Sequence, residues 1–364
     1  MSYDTPTAPS LFDLLARVWS LPGPVEDMCF NREGSAVAYA GGGLLAVVPV
    51  DDPEGPEKRI RVAADSGQQS IMPREKPVRP ATEVKGLRGA LAPFRDRAFI
   101  TGSEKGGLVS VTPRGQTVPL SVAFDGAPSA LARDPAAPTI AAAAGSRVVV
   151  FPETQPDEAR NHDAGETITA LAFAPQGRHL AVAHPGGVSF YHDGTFVDTV
   201  ALDGIPESLS YSPDGAFLAC GLREPGFALI RLADGSVDSV RDYPTPVRSL
   251  VWSTPGQAFA TSGAFRPAAW RFTPEGRGEP IVAGRTGLVV VDRVAAAPDR
   301  PLIAAGYASG FLCLAQLGSR EEMLLRSEGG AVTTLAWNAA GSHLAFGDAR
   351  GAAALISFPP SLFK

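Results

Sequence analysis

One kind of position recurs along this chain at nearly constant spacing. It is the residue that closes a short apolar run just before a turn. It falls at Phe30, Ala92, Ala132, Phe173, Tyr211, Trp252, Ala296 and Trp337. After a first step of 62 residues, the remaining steps are 38 to 44. A unit of about 40–45 residues is the size of a four-stranded propeller blade. The clearest unit runs from Thr167 to Val200, where four short apolar runs (168–173, 179–183, 188–191 and 196–200) end at Pro, Gly, Asp or His. Short runs split by tight-turn residues read as strands of an up-and-down meander.

The turn after the recurring position is Asn-Arg-Glu-Gly (31–34), Ala-Pro-Gln-Gly (174–177), Ser-Pro-Asp-Gly (212–215), Ser-Thr-Pro-Gly (253–256) or Asn-Ala-Ala-Gly (338–341). Gly supplies the positive φ such a turn needs, and Pro pre-sets the residue before it. A second run of small residues follows each time, at 36–40, 99–102, 140–144, 180–183, 217–221, 258–262, 302–306 and 344–347. Small side chains suit strands crowded near a central axis.

This pattern resembles the WD-repeat (Trp-Asp repeat) family of propellers over residues 20–358. Its most typical piece is Tyr211-Ser212-Pro213-Asp214-Gly215-Ala216-Phe217-Leu218-Ala219; the stretches from Phe173 to Ala181 and from Trp337 to Ala345 come next. No unit ends its third strand in Trp-Asp, Trp270-Arg271 being the nearest, and no Gly-His pair opens a unit. The hydrogen-bond network that joins His, Ser or Thr, Asp and Trp in the family is therefore expected to be missing. The resemblance then implies a divergent, bacterial-type member whose blades are held by packing alone.

Eight starts imply an all-β propeller of eight four-stranded blades, in one domain spanning 1–364. Seven blades, with 86–120 or 127–151 misread, is the alternative. The last unit ends with its third strand at 353–358, and one spare strand, 17–21, precedes the first unit. A ring left open exposes two sheet edges. The N-terminal segment 1–20 is therefore expected to contribute the closing strand, pairing with the C-terminal blade. A short helix within 8–18, capped by Ser10 and carrying Leu11, Leu14, Leu15 and Val18 on one side, precedes it.

The long first step holds an insertion. Residues 58–63 read as the fourth strand of unit one, followed by a basic, Pro-containing loop at 64–85 with Arg74, Lys76, Arg79 and Lys85. Low hydrophobicity with Pro and charge reads as a long mobile loop.

The composition excludes some functions. With 45% hydrophobic residues the chain buries a large core, and a net charge of −6 gives no overall field for nucleic acid or an anionic membrane. The N-terminus is no secretory signal, since Asp4, Asp13 and Arg17 interrupt it, and no run reaches the roughly 18 apolar residues of a membrane span. Cys29, Cys220 and Cys313 lie far apart within apolar runs, as reduced thiols do. The expectation is a cytoplasmic monomer without cofactor or metal.

Catalytic spacing is sparse. There is no phosphate-cradling Gly-rich loop with Lys-Ser/Thr, no His-Glu-x-x-His, and Gly306-Tyr307-Ala308-Ser309-Gly310 misplaces its serine by one. His179 and His343 share a slot after the first turn and read as solvent-facing turn residues. His184 and His192 read as opposite ends of one strand, which keeps them from joining His162 in a zinc site. Glu26, Glu166 and Glu207 open first strands near the channel mouth, where some propeller enzymes hold calcium; the set is incomplete, so they read as solvated rim charges.

Interaction signals are better. Loops from second to third strands, and from fourth strands to the next unit, share one face. That face carries Arg223, Tyr243, Phe265, Arg266, Arg285, Tyr307 and Arg350. Arg and aromatic side chains anchor interfaces through large contact area and planar donors. The 64–85 loop, with Arg74, Lys76 and Arg79, is expected on this face, with an acidic protein surface as its counterpart. The function implied is a non-catalytic protein–protein scaffold or adaptor. The alternative is a lactonase-like or quinoprotein-like enzyme, or a small-ligand or metal binder, using the central channel. At single positions, Phe265 and Tyr243 tucked between blades, solvated arginines and a plain spacer loop remain open.

Overall fold

A computed structural model describes residues 9–122 and 126–363 of the chain. Eight four-stranded antiparallel sheets follow one another along the sequence. Their first strands begin at Asp27, Leu87, Ala130, Ala170, Pro206, Leu250, Val291 and Val332. Each first strand lies beside that of the next sheet, and the eighth returns to the first, so the sheets are blades of a closed eight-bladed propeller. The regions that a seven-bladed count treats as misread form full blades, at Leu87–Phe94 through Thr117–Pro119 and at Ala130–Arg133 through Arg160–Asp163.

The turn chemistry largely follows the sequence. Gly34, Gly177, Gly215 and Gly341 take φ of 66°, 78°, 71° and 66°. In the sixth blade the left-handed position falls one residue later, on Gln257 at φ 44°, so Gly256 is not the residue that needs it.

Packing is not the only thing that holds a blade. The residue after the first strand is often a buried Asn, Asp or Ser that fastens its own turn. Asn31 Oδ1 accepts the N–H groups of Ser35 and Ala36 at 2.9 and 3.1 Å, and Asn338 Oδ1 those of Ser342 and His343 at 3.0 and 2.9 Å. Asp134 Oδ1 takes Ala136 and Ala137, Ser212 Oγ takes Phe217, and Ser253 Oγ takes Gly256. These are side-chain caps of the kind that short polar residues supply at turns.

The second strands are small at one place for a reason of register. Four blades carry a bulge at the start of the first strand, at Arg88/Leu91, Pro206/Ser208, Val291/Arg293 and Val332/Thr334. Opposite each bulge stands a glycine: Gly102, Gly221, Gly306 or Gly347. A Cβ there would strike the segment entering the next blade, at Pro128, Val247, Val332 or Val25. The third and fourth blades have no such bulge and carry Ala143 and Ala183 instead.

The beginning of the chain closes the ring. Ser10 caps a helix at Leu11–Leu15 in a capping box with Asp13, and the chain then extends as Ala16–Ser20. That strand pairs antiparallel with Ala352–Ser357, with Val18 opposite Ala354. Leu15 packs into the eighth-blade core with Leu344, Phe346 and Ile356. Val18 leaves the apolar side of the helix and is exposed on the strand. Tyr39 Oη of the first blade donates to Ala354 O at 2.7 Å, and Thr333 Oγ1 of the eighth donates to Val25 O at 2.6 Å.

The insertion differs from the sequence reading. The fourth strand of blade one is Thr82–Lys85, which pairs with Leu44–Pro49. The run at 58–63 is instead part of a 3-10 turn, Pro56–Arg59, and a strand, Ile60–Val62, paired with Gln69–Ile71. The insertion therefore joins the third strand to the fourth and leaves from the opposite end of the blade. Arg74, Lys76 and Arg79 do not lie among the loops from second to third strands. The insertion is bolted to the closing strand. Arg59 donates to the carbonyls of Leu14, Met72 and Glu54, and Trp19 Nε1 donates to Arg79 O at 2.8 Å. Arg17, 4% exposed, donates to Val50 O at 2.6 Å and lies 3.6 Å from Asp52, which Arg74 also binds.

His343 is not the solvent-facing turn residue expected. Its Nδ1 sits 2.8 Å from Ser342 Oγ, and burial, assisted by the Arg17 charge, pushes its pKa down to about 4. The unfolded imidazole binds protons near 6.5 and the folded one does not, so acid favours unfolding. Stability should therefore be full above about pH 6.5 and fall progressively towards pH 4. Chemical denaturation against pH checks this: His343→Gln should flatten the decline in that window.

Candidate functional site

The surface of interest lies where three loops of blades six and seven meet. The first joins Ala258–Thr261 to Ala268–Thr273 in blade six. Ser262 Oγ anchors it by accepting the N–H groups of Arg248 and Ser249 at 3.0 and 3.1 Å. Gly263, at φ 90°, turns it over Tyr243, Thr245 and Pro246. Ala264 O accepts Val291 N at 2.8 Å, and Phe265 is left 40% exposed.

The second loop, 282–290, crosses from blade six to blade seven. Gly287 N donates to Phe265 O at 2.9 Å, and the next residues, Leu288 and Val289, are 96% and 37% exposed. The third loop lies between Leu312–Gln316 and Glu322–Arg326 of blade seven. Gly318 N donates to Val282 O at 2.7 Å, and Gly284 N donates to Ser319 O at 3.0 Å. The three loops are thus tied by backbone hydrogen bonds rather than merely adjacent.

Between them is a cavity of about 410 Å³ lined by Arg266, Gly284, Arg285, Thr286 and Arg320. Arg285, Thr286 and Arg320 are exposed and Arg266 is half-buried. Among the described residues, no carboxylate forms an ion pair with any of the three arginines. Glu322 stands behind them, and its Oε2 accepts the Arg285 N–H at 3.1 Å.

The structure brings together Phe265, Arg266 and Arg285 of the sequence-predicted set. Tyr243 lies beneath the same loop but faces inward: its hydroxyl is 2.6 Å from Thr261 Oγ1 and its ring stands edge-on to Phe227. Burial raises its pKa, against the opposing hydrogen bond to Thr261. Tyr307, 5% exposed, belongs to the core between blades six and seven. Arg223 pairs with Glu207 at 2.7 Å, and Arg350 is exposed with its N–H on Asp348 Oδ1. Arg74 is committed to Asp52, Lys76 lies 4.0 Å from Glu54, and the Arg79 carbonyl holds Trp19.

The sequence reading missed Thr286, Leu288, Val289 and Arg320. The run from Gly287 to Val291 reads as the opening of the next strand. Arg320 belongs to a third-to-fourth-strand turn, which a flat blade would put on the other face.

The axial residues make a different set. Glu166 accepts Gly186 N at 2.7 Å and lies 3.3 Å from His184. Asp27 accepts Met28 N and Leu91 N, both at 2.8 Å, while burial pushes its pKa up to about 6. His184 and His192 sit on adjacent strands, opposite Gly187 and His179, at the two ends of one hairpin. Among the described residues, no three His, Cys, Asp or Glu side chains are grouped to hold a metal. The three cysteines are free, and no described helix is long and apolar enough to cross a membrane.

The fold places the chain among eight-bladed β-propellers of WD40-like architecture. No protein-family profile matches it. No curated protein matches it in sequence. Solved structures do match in fold. The crystal structure of the computationally designed Ika8 protein superposes with a TM-score of 0.67 at 17% identity, covering 93% of this chain and 98% of that one. The RRP9 WD40 repeats superpose with a TM-score of 0.60 at 13% identity, covering 96% of this chain and 99% of that one.

Proposed function

We propose that this chain is a non-catalytic scaffold or adaptor that captures a protein partner at the rim between blades six and seven. The observation that carries this is the exposed trio Phe265, Leu288 and Val289, held on hydrogen-bonded loops beside three arginines. Large apolar side chains left in water on loops with pinned backbones cost less to order when a partner arrives. Arg beside an aromatic is the composition of an interface anchor. The similarity to WD40 repeat domains supports the reading as analogy, since fold alone does not fix function.

The test is partner recovery from the native host with Phe265→Ala, Arg266→Ala and Leu288→Ala combined. All three lie outside the blade cores, so each should change stability by no more than about 0.5 kcal/mol. Recovery should fall about tenfold or more, as for loss of a hot-spot group. Undiminished recovery with an unchanged melting midpoint would move the interface elsewhere. Stoichiometric calcium or zinc in the purified protein would instead favour chemistry in the axial channel.

A further inference from the structure

The cavity between the three loops has a chemistry of its own. Three arginines, Arg266, Arg285 and Arg320, line it together with Thr286 and Gly284. Some arginines elsewhere on the surface find carboxylates: Arg97 binds Glu33 at 2.8 Å, Arg223 binds Glu207 at 2.7 Å, and Arg277 binds Asp238 at 2.8 Å. These three do not, among the described residues. Glu322 is engaged by the main-chain N–H of Arg285. Like charges gathered without counter-ions repel one another unless an anion joins them.

We infer that this cavity is a binding site for a phosphoryl group. A phosphate monoester carries about −1.5 to −2 charges and three acceptor oxygens at neutral pH. Guanidinium is planar, permanently charged and weakly hydrated, and its paired N–H donors match phosphate oxygens. A single carboxylate has two oxygens and one charge, and so matches fewer of the three arginines that line the cavity. The site is also preorganised. Main-chain hydrogen bonds from Gly284 to Ser319, Gly318 to Val282 and Gly287 to Phe265 fix the three loops before any ligand arrives.

The phosphoryl group can come from two sources, a phosphorylated side chain of a protein or a free phosphate compound. The first rests on the partner-capture reading above, and the apolar lip of Phe265, Leu288 and Val289 beside the cavity favours it. A phosphorylated residue would enter the cavity while apolar neighbours in the same segment cover the lip.

Isothermal titration of the full chain tests the site with two probes. One is inorganic phosphate. The other is a short peptide carrying phosphoserine next to Leu and Phe, with its unphosphorylated form as control. Phosphate should bind, in a salt-sensitive manner, and compete with the phosphopeptide. The phosphopeptide should bind at least about tenfold tighter than its control. Arg285→Ala and Arg320→Ala, both at exposed positions, should each weaken both probes about tenfold or more. Arg285→Lys should recover only part of the loss, because charge returns without the fork. Phosphate binding without a gain from the peptide would assign the site to free phosphate compounds. No binding of either probe above that of chloride, or equal binding by the Arg285→Ala/Arg320→Ala protein, would overturn the assignment. If those two substitutions abolish phosphate binding yet partner recovery is unchanged, the phosphoryl site stands and does not serve partner capture. If the Phe265→Ala/Arg266→Ala/Leu288→Ala protein keeps full partner recovery while the unaltered chain binds phosphate, partner capture at this rim falls and the phosphoryl site stands.

Discussion

Arg17→Ala is expected to lower the free energy of unfolding by about 3–5 kcal/mol, the usual cost of removing one member of a buried charged pair. The guanidinium is 4% exposed and reaches from the closing strand to the Val50 and Asp51 carbonyls and to Asp52. Its removal takes one of two cations from the buried Asp52 and a charged donor from the Val50 and Asp51 carbonyls. Domains of this kind retain only about 5–15 kcal/mol in total. The effect should appear as a shift of the urea midpoint without change of slope. Arg32→Ala, which removes an exposed pair between the first blade and Asp96 of the second, serves as control and should cost under about 1 kcal/mol.

Gly221→Ala should cost about 3 kcal/mol, at the upper end for overpacking. A Cβ at Gly221 would stand 2.2 Å from Val247 O and 2.3 Å from Ser208 Oγ. The carbonyl belongs to the segment entering blade six, so the methyl group would push two blades apart. Ala183 occupies the corresponding place in blade four, where the first strand has no bulge, and shows that the residue itself is compatible with the strand. Thermal unfolding of Gly221→Ala and of Ala183→Gly compares the two settings. The first should lose several degrees; the second should lose only the cost of a flexible glycine, about 1 kcal/mol.

The spacing of Phe30, Ala92 and their successors was enough to count blades, because each blade must spend a similar length of chain on four short strands. The spare strand near Arg17 was legible for the same reason: a closed ring must account for every edge. The insertion was not legible. The sequence of 60–63, Ile-Arg-Val-Ala, is more apolar than that of 82–85, Thr-Glu-Val-Lys, yet it is the second that joins the blade, while Arg59 and Trp19 tie the insertion to the N-terminal segment. Side-chain capping by Asn31, Asn338 and Ser212 was hidden because the turns were read through Gly and Pro alone.

For the candidate site, residue type found Phe265, Arg266 and Arg285. It also selected Tyr243 and Tyr307, which the same loops turn inward to pack between blades. Arg320 was out of reach, because sheet twist brings a third-to-fourth-strand turn against the crossing loop at Ala283. That contact depends on the angle between neighbouring blades, which no single repeat encodes.

A rim shared by two blades keeps its shape only on a closed platform, and here the first strand of the chain shuts the ring. A register-specific cross-link tests this directly. In Val18→Cys/Ala354→Cys, the two positions face each other across the closing pair. Mild oxidation should join them within one chain, and the oxidised protein should melt higher than its reduced form by several degrees, as expected for about 3–5 kcal/mol of loop constraint. Thiols still free at positions 18 and 354 after oxidation, counted beyond the three native free cysteines, or a cross-link only between separate chains, would contradict the closure.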